Sequence, residues 1–343
     1  MGTGVGSLPG IDPVEASAIV TGETPQMPAL PELPARGVGA DMIGRTIGLL
    51  VDIAAEVVPT GWRVSARPGR DHRRATDMMQ ADLDAFHDAC DRIRPSWVKV
   101  AAVGPWTLAA SVEVASGHRV LTDRGAVAEF AASLAEGLRT HVAEVAERTG
   151  ATVLVQLDEP SLPAVLAGSL PTASGYGTVR SIRSQDAADT LRELIEQVGA
   201  PVVVHCCADR PPIRMLTTTG AAAIGIDATR PAFAGTVSSA GSAGRGALPA
   251  ALDAIGETWD AGIPMMLGFL PSTAPAREPK IGDLARLGYD LADRLGFDRL
   301  RLARLAVPTP ACGLAGATPD WARRALALSR EMGKGFAEPP ELR

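Results

Sequence analysis

Cysteine is scarce in this sequence, with four in 343 residues, and aromatic side chains make up only 4%. Four thiols are too few for a disulfide scaffold. No apolar run approaches the roughly 18 residues of a membrane-spanning helix. The opening Met1-Gly-Thr-Gly-Val-Gly-Ser-Leu-Pro9 also lacks the basic start and long apolar stretch of a secretory leader. The expected location is the cytoplasm, without a membrane partner. An excess of positive charge is missing too: 33 Lys+Arg against 39 Asp+Glu leaves a net charge of −6, which argues against nucleic acid as the main partner. No glycine-rich phosphate fingerprint opens the chain. What is present is a composition 46% hydrophobic and 21% charged, too apolar to stay unfolded in water. A small-molecule substrate is the natural expectation.

Short apolar runs alternate with longer Ala/Leu-rich stretches of helical period. Strands are expected at 5–8, 62–66, 98–103, 153–157, 202–204, 222–226, 265–269 and 300–305. They are rich in Val, Ile and Leu with little polar alternation, as in parallel strands covered on both faces. Helices are expected between and after them, at 42–57, 77–93, 125–148, 185–198, 247–261, 281–295 and 319–332, with an extra one at 12–21 before a Pro-rich stretch at 25–34. A repeating βα order of this length predicts one α/β domain over residues 1–343, a (β/α)8 TIM barrel. The Gly/Ser/Ala-rich stretch 235–246 follows the sixth strand and reads either as a lid or as a plain connector.

A barrel of this kind carries reactive groups at the carboxyl ends of its strands. Ser7 ends the first strand, Asp158 and Glu159 the fourth, His205 and Cys207 the fifth and Asp227 the sixth, while Cys312 follows the eighth. Residues two apart on a strand share a face, so His205 and Cys207 point together and Cys206 points away. With Cys312 as a second thiolate and Asp227 as an oxygen donor or outer contact, the set suits Zn2+; the alternative is a buried histidine among buried cysteines. A zinc ion so rich in thiolate is a poor electrophile for hydrolysis and a good activator of a substrate thiol. Alkyl transfer to sulfur is the reaction class that follows.

His205-Cys206-Cys207, Asp227 and Pro310-Ala-Cys-Gly-Leu314 resemble the zinc ligands of the catalytic domain of cobalamin-independent methionine synthase. Gln156-Leu-Asp-Glu-Pro-Ser161 resembles that family's strand-four motif, Val5-Gly-Ser-Leu-Pro9 its opening segment, and Gly104-Pro105-Trp106-Thr107 its turn after strand three. The resemblance implies a barrel of the superfamily that includes uroporphyrinogen decarboxylase. It also implies zinc held by His205, Cys207, Asp227 and Cys312, with homocysteine gripped through Ser7 and Asp158. The implied reaction is methyl transfer to homocysteine, giving methionine. Around the substrate, Glu159 is expected to turn into the strand-four loop beside the site, and Trp106 either stacks on a flat donor ring or packs at the rim.

The sequence departs from the family in four places. Asp227 stands where the family has Glu. No His-Gly-Glu segment is visible near 64–70, and Gly268-Phe-Leu-Pro-Ser-Thr273 lacks the family's strand-seven histidine. The resemblance covers one barrel, whereas long members carry a second that contributes to folate binding. The methyl donor is therefore folate or corrinoid. Competing readings are a methylcobamide-dependent thiol methyltransferase and a non-catalytic zinc- or ligand-binding relative. The charged run Arg67, Arg70, Asp71, His72, Arg73 and Arg74 is either a solvated loop or a dock for an anionic donor tail.

Overall fold

A computed structural model describes residues 1–172, 175–230, 233 and 247–338. Helices α1 (Pro13–Glu23) and α2 (Met42–Ile47) precede β1 (Ala54–Val58), β2 (Gly61–Ser65), α3 (Arg70–Ile93), β3 (Trp97–Val103), α4 (Pro105–Ser111) and β4 (Val112–Glu113). The chain continues through α5 (Arg124–Thr149), β5 (Thr152–Asp158), α6 (Leu162–Ala167), α7 (Ser184–Val198), β6 (Val202–Cys206), α8 (Ile213–Leu216), β7 (Ala223–Ile226) and α9 (Ala247–Asp260). It ends with β8 (Met265–Leu270), α10 (Ile281–Leu295), α11 (Arg299–Leu305), β9 (Ala306–Pro310) and α12 (Pro319–Ala337). The expected stretch 235–246 lies outside the described residues.

Strands β3-β5-β6-β7-β8-β9 pair in that order as one parallel sheet, an α/β half-barrel. Its outer face is apolar because helices cover it: Val153, Val155, Leu157, Val202 and Val204 join the large core. Its inner face is apolar only at the foot, where Leu154, Val203, Ala223 and Met266 form a separate cluster with Trp97 and Val307 packed against it. On the same face the residues turn polar at Lys99, the register partner of Leu154, and further along at Gln156, Asp158 and His205, all buried. The period of two along each strand separates these faces.

Backbone hydrogen bonds continue past both edges of the sheet. Thr3 N donates to Pro308 O at 3.3 Å, Glu32 N to Gly6 O at 3.3 Å and Leu8 N to Glu32 O at 2.9 Å. Leu30 N donates to Lys99 O at 2.7 Å, and Lys99 N to Pro28 O at 2.9 Å. The segment 5–8, expected as a strand, makes one parallel bridge, Ser7 to Glu32.

Three expectations are corrected. Residues 62–66 are not the second strand of the main sheet; β2 pairs antiparallel with β1 and parallel with β4 in a separate small sheet. The place beside β3 goes instead to the Pro-rich stretch, through the bridge Ala29 to Lys99. The helix expected over 42–57 stops at Ile47, and the chain re-forms as β1, whose Val57 sits opposite Trp62. Residues 300–305 belong to helix α11: Asp298 caps it by accepting from Arg301 N, and Leu302 and Leu305 are buried at helical spacing while Leu300 is exposed. The eighth strand follows it, at β9.

Candidate functional site

The carboxyl ends of β5, β6 and β9 meet around a cavity of about 380 Å3 lined by Ser7, Glu32, Asp158, His205, Cys207 and Cys312, among others. Asp158 and His205 are register partners on adjacent strands. His205 Nδ1 lies 2.6 Å from Asp158 Oδ1. The imidazole has room because its neighbour across β7 is Gly225, where a Cβ would stand 3.0 Å from His205 Cδ2. Cys206, between the two cavity residues, is fully buried on the other face, and burial pushes its thiol up to about 12.

Cys207 and Cys312 are 105 residues apart in sequence, yet their sulfurs are 3.4 Å apart. The two thiols interact strongly. Hydrogen bonding from Cys207 holds Cys312 well below an ordinary thiol and, with burial, raises Cys207 well above one. Ser7 reaches the same turn: Leu314 N donates to Ser7 O at 2.8 Å, and a Cβ on Gly313 would collide with Ser7 Oγ.

Asp227, expected beside these donors, is engaged elsewhere. Its Oδ1 accepts from Thr229 N at 2.9 Å and Thr229 Oγ1 at 2.6 Å, and its Oδ2 pairs with Arg230 Nε at 2.8 Å. It does not line the cavity. Among the described residues, no three His, Cys, Asp or Glu side chains are gathered closely enough to form a metal cage. In kind, the donors facing the cavity fit zinc: two sulfurs, and one imidazole whose Nδ1 is held by a carboxylate. Asp227 does not fit.

Glu159 and Trp106 are also not brought to the cavity. Glu159 is fully buried and closes the N-terminus of α4, accepting from Trp106 N at 2.9 Å, Thr107 N at 2.8 Å and Thr107 Oγ1 at 2.7 Å. Gly104 at the cap position has no side chain to do this, and a Cβ there would overlap the Glu159 carboxylate. Burial outweighs these bonds and raises Glu159 to about 7. Trp106 packs between α4 and α7 with its Nε1 donating to Ala187 O at 3.1 Å. The charged run at 67–74 is exposed at the start of α3, apart from the buried His72 and half-buried Asp71.

Two groups were not anticipated from the sequence. Glu32 lines the same cavity as the thiols, and burial lifts its carboxyl to about 7. Lys99, fully buried beneath the cavity, donates to Val5 O at 2.6 Å and to Gln156 Oε1 at 2.5 Å. The signal for both was a single charged residue inside an apolar run: Leu30-Pro-Glu-Leu33 and Val98-Lys-Val100. Among the described residues, no helix is long and apolar enough to cross a membrane.

Comparison with known proteins places the chain in a family. No curated protein matches the sequence. Among solved structures, a B12-independent methionine synthase from Shewanella sp. W3-18-1 in complex with selenomethionine superposes with a TM-score of 0.62 at 13% identity, covering 99% of this chain and 98% of that one. A methyltransferase from Methanosarcina mazei gives 0.50 at 14% identity, with 97% and 94% covered. At such identities the likeness is one of fold. The sequence pattern described as "Cobalamin-independent synthase, Catalytic domain" matches residues 1–335. The chain therefore belongs to the family of cobalamin-independent methionine synthase catalytic domains and is a methyltransferase of that family.

Proposed function

We propose that this enzyme transfers a methyl group from a methylated folate to homocysteine, giving methionine, in a zinc-dependent reaction. The observation that carries the reading is the meeting of Cys207 and Cys312, 3.4 Å apart, with His205 on the wall of one cavity. His205, Cys207 and Cys312 would hold the metal, and three protein donors leave a place for a substrate sulfur. Zinc, when bound, lowers the pKa of a coordinated thiol and so favours its thiolate near neutral pH.

The remaining residues bind and orient the amino acid. Asp158 has Oδ1 occupied by Gln156 and His205, while Oδ2 makes no hydrogen bond among the described residues. That free oxygen and the Glu32 carboxyl offer acceptors for the substrate ammonium, whose charge would in turn favour ionised Glu32. Ser7 presents a hydroxyl to the substrate carboxylate. Held this way, the sulfur attacks the methyl carbon in line; an S–C bond forms, the donor's N–C bond breaks, and the donor nitrogen gains a proton that balances the one the thiol released. Orientation of the two reactants supplies much of the acceleration.

For the scaffold we propose a closed (β/α)8 barrel within one domain, in which 5–8 and 28–33 serve as the first two strands. The backbone bonds from β9 to Thr3, between Gly6–Leu8 and Glu32, and from Pro28–Leu30 to Lys99 support it. Turnover assays with homocysteine test the function. Methionine formed from methyltetrahydrofolate, in proportion to zinc content, is the expected result. Turnover with methylcobalamin alone would reassign the donor, and homocysteine binding without turnover from either donor would remove the catalytic reading.

A further inference from the structure

A lysine sealed inside a protein without a contacting carboxylate is unfavourable, because burial penalises its charge. Lys99 is such a group: it is fully buried, among the described residues its ammonium hydrogen-bonds only to a backbone carbonyl and an amide oxygen, and burial lowers it to about 8 against the opposing pull of the more distant Asp158 and Glu32. At neutral pH it still carries its proton. What it touches explains its presence.

The hydrogen-bond directions leave little freedom. An ammonium only donates, so the end of Gln156 that faces Lys99 at 2.5 Å must be the oxygen. The other end of that amide is then NH2, which only donates, and it lies 2.8 Å from Asp158 Oδ1. That same oxygen is 2.6 Å from His205 Nδ1. A donated amide N–H favours the ionised form of the carboxyl that accepts it, and an ionised carboxylate only accepts, so a neutral imidazole beside it must donate from Nδ1. The donor sense set at Lys99 thus passes through Gln156 and Asp158 to the ring, and Nε2 is left with its lone pair. All four residues are inward-facing neighbours on β3, β5 and β6, so no loop movement is needed to maintain the chain of contacts.

We propose that Lys99 is a positioning residue which, through Gln156 and Asp158, fixes His205 as the Nδ1–H tautomer and keeps Nε2 ready for a metal ion. The purpose assigned to the free nitrogen rests on the zinc reading above; the tautomer itself does not. An ammonium at the far end of the relay suits this task better than a neutral donor, since it cannot reverse its role as Ser, Gln or water can.

The test is nitrogen-15 NMR of the histidine side chains in the full-length, metal-free protein, with His205 assigned by its disappearance in His205→Gln. The wild type is expected to show a protonated Nδ1 and an unprotonated Nε2. In Lys99→Met the amide of Gln156 is free to turn over. The Nδ1–H signature should give way to a mixture or to Nε2–H, and zinc affinity, measured by competition with a chromophoric chelator, should fall about 10- to 100-fold. Gln156→Leu breaks the relay one step later and should behave alike, which keeps the test usable if Lys99→Met does not fold. An Nε2–H tautomer in the wild type overturns the proposal, as do wild-type shifts and affinity in either folded variant. A wild type with the expected tautomer but no zinc affinity would remove the zinc reading and leave the relay intact.

Discussion

Along β5 and β6 the inward side chains change character within two residues. At the foot, Leu154 and Val203 pack with Met266 and Ala223 into an apolar plug. At the head, Gln156, Asp158 and His205 form a hydrogen-bonded chain ending at a cavity. The strands are the same and so is the period of two; only the height differs. The foot holds the sheet together by excluding water, while the head accepts the penalty of burying polar groups in exchange for a fixed set of donors and acceptors. Stability and chemistry are therefore separable by mutation.

The sharpest break in that comparison is at the head. Cys312→Ser should empty the purified enzyme of zinc and lower turnover by more than about 100-fold, beyond what loss of an outer contact causes, with little change in the urea midpoint; metal analysis and methionine assay check both. At the foot the effects should reverse. Met266→Ala deletes buried volume and should cost about 2–5 kcal/mol of stability, read by denaturant unfolding, while zinc content stays at the wild-type level.

A third substitution probes a carboxyl buried away from the cavity. Glu159 has a folded pKa of about 7, raised above its ordinary 4.5 by burial. The folded state therefore keeps a proton that the unfolded chain has lost. The resulting stabilisation is complete below pH 4.5 and disappears as pH rises through about 7. Glu159→Gln should remove a slope of up to about 1.4 kcal/mol per pH unit in that window, measured by unfolding at several pH values. Glu32, raised to about 7 in the same sense, retains its own share. The smallest effect belongs to Asp227. Because its oxygens serve Thr229 and Arg230, Asp227→Asn should leave zinc affinity within about threefold and cost on the order of 1 kcal/mol for the lost ion pair.

The same contrast decides what could be read from the sequence. β3, β5, β6, β7 and β8 were legible because strands buried on both faces are written as continuous apolar runs, and the His205/Cys207 pair was legible because a period of two leaves one geometry. Cys312 required the topology as well, which carries it from the last strand back to the fifth. The two segments flanking the sheet are obscured in the sequence: 28–33 is broken by prolines and 5–8 makes one bridge among the described residues, whereas β2, with its clean Val and Trp pattern, imitates a strand of the main sheet. Losing 28–33 hides Glu32. The alternation of Arg and Leu over 299–305 imitated a strand although its buried leucines sit three apart. Asp227 illustrates a different limit: position at a strand end predicts where a carboxylate stands, and only the following Thr229 and Arg230 reveal that it is already occupied.

The most direct measurement of the central claim is zinc K-edge absorption of the loaded enzyme, before and after homocysteine. Two sulfur neighbours and at least one nitrogen, rising to three sulfurs when homocysteine is added, is the result expected from His205, Cys207 and Cys312 facing one cavity. A protein that folds yet takes up no zinc, or a shell whose sulfur count does not change with homocysteine, would contradict it.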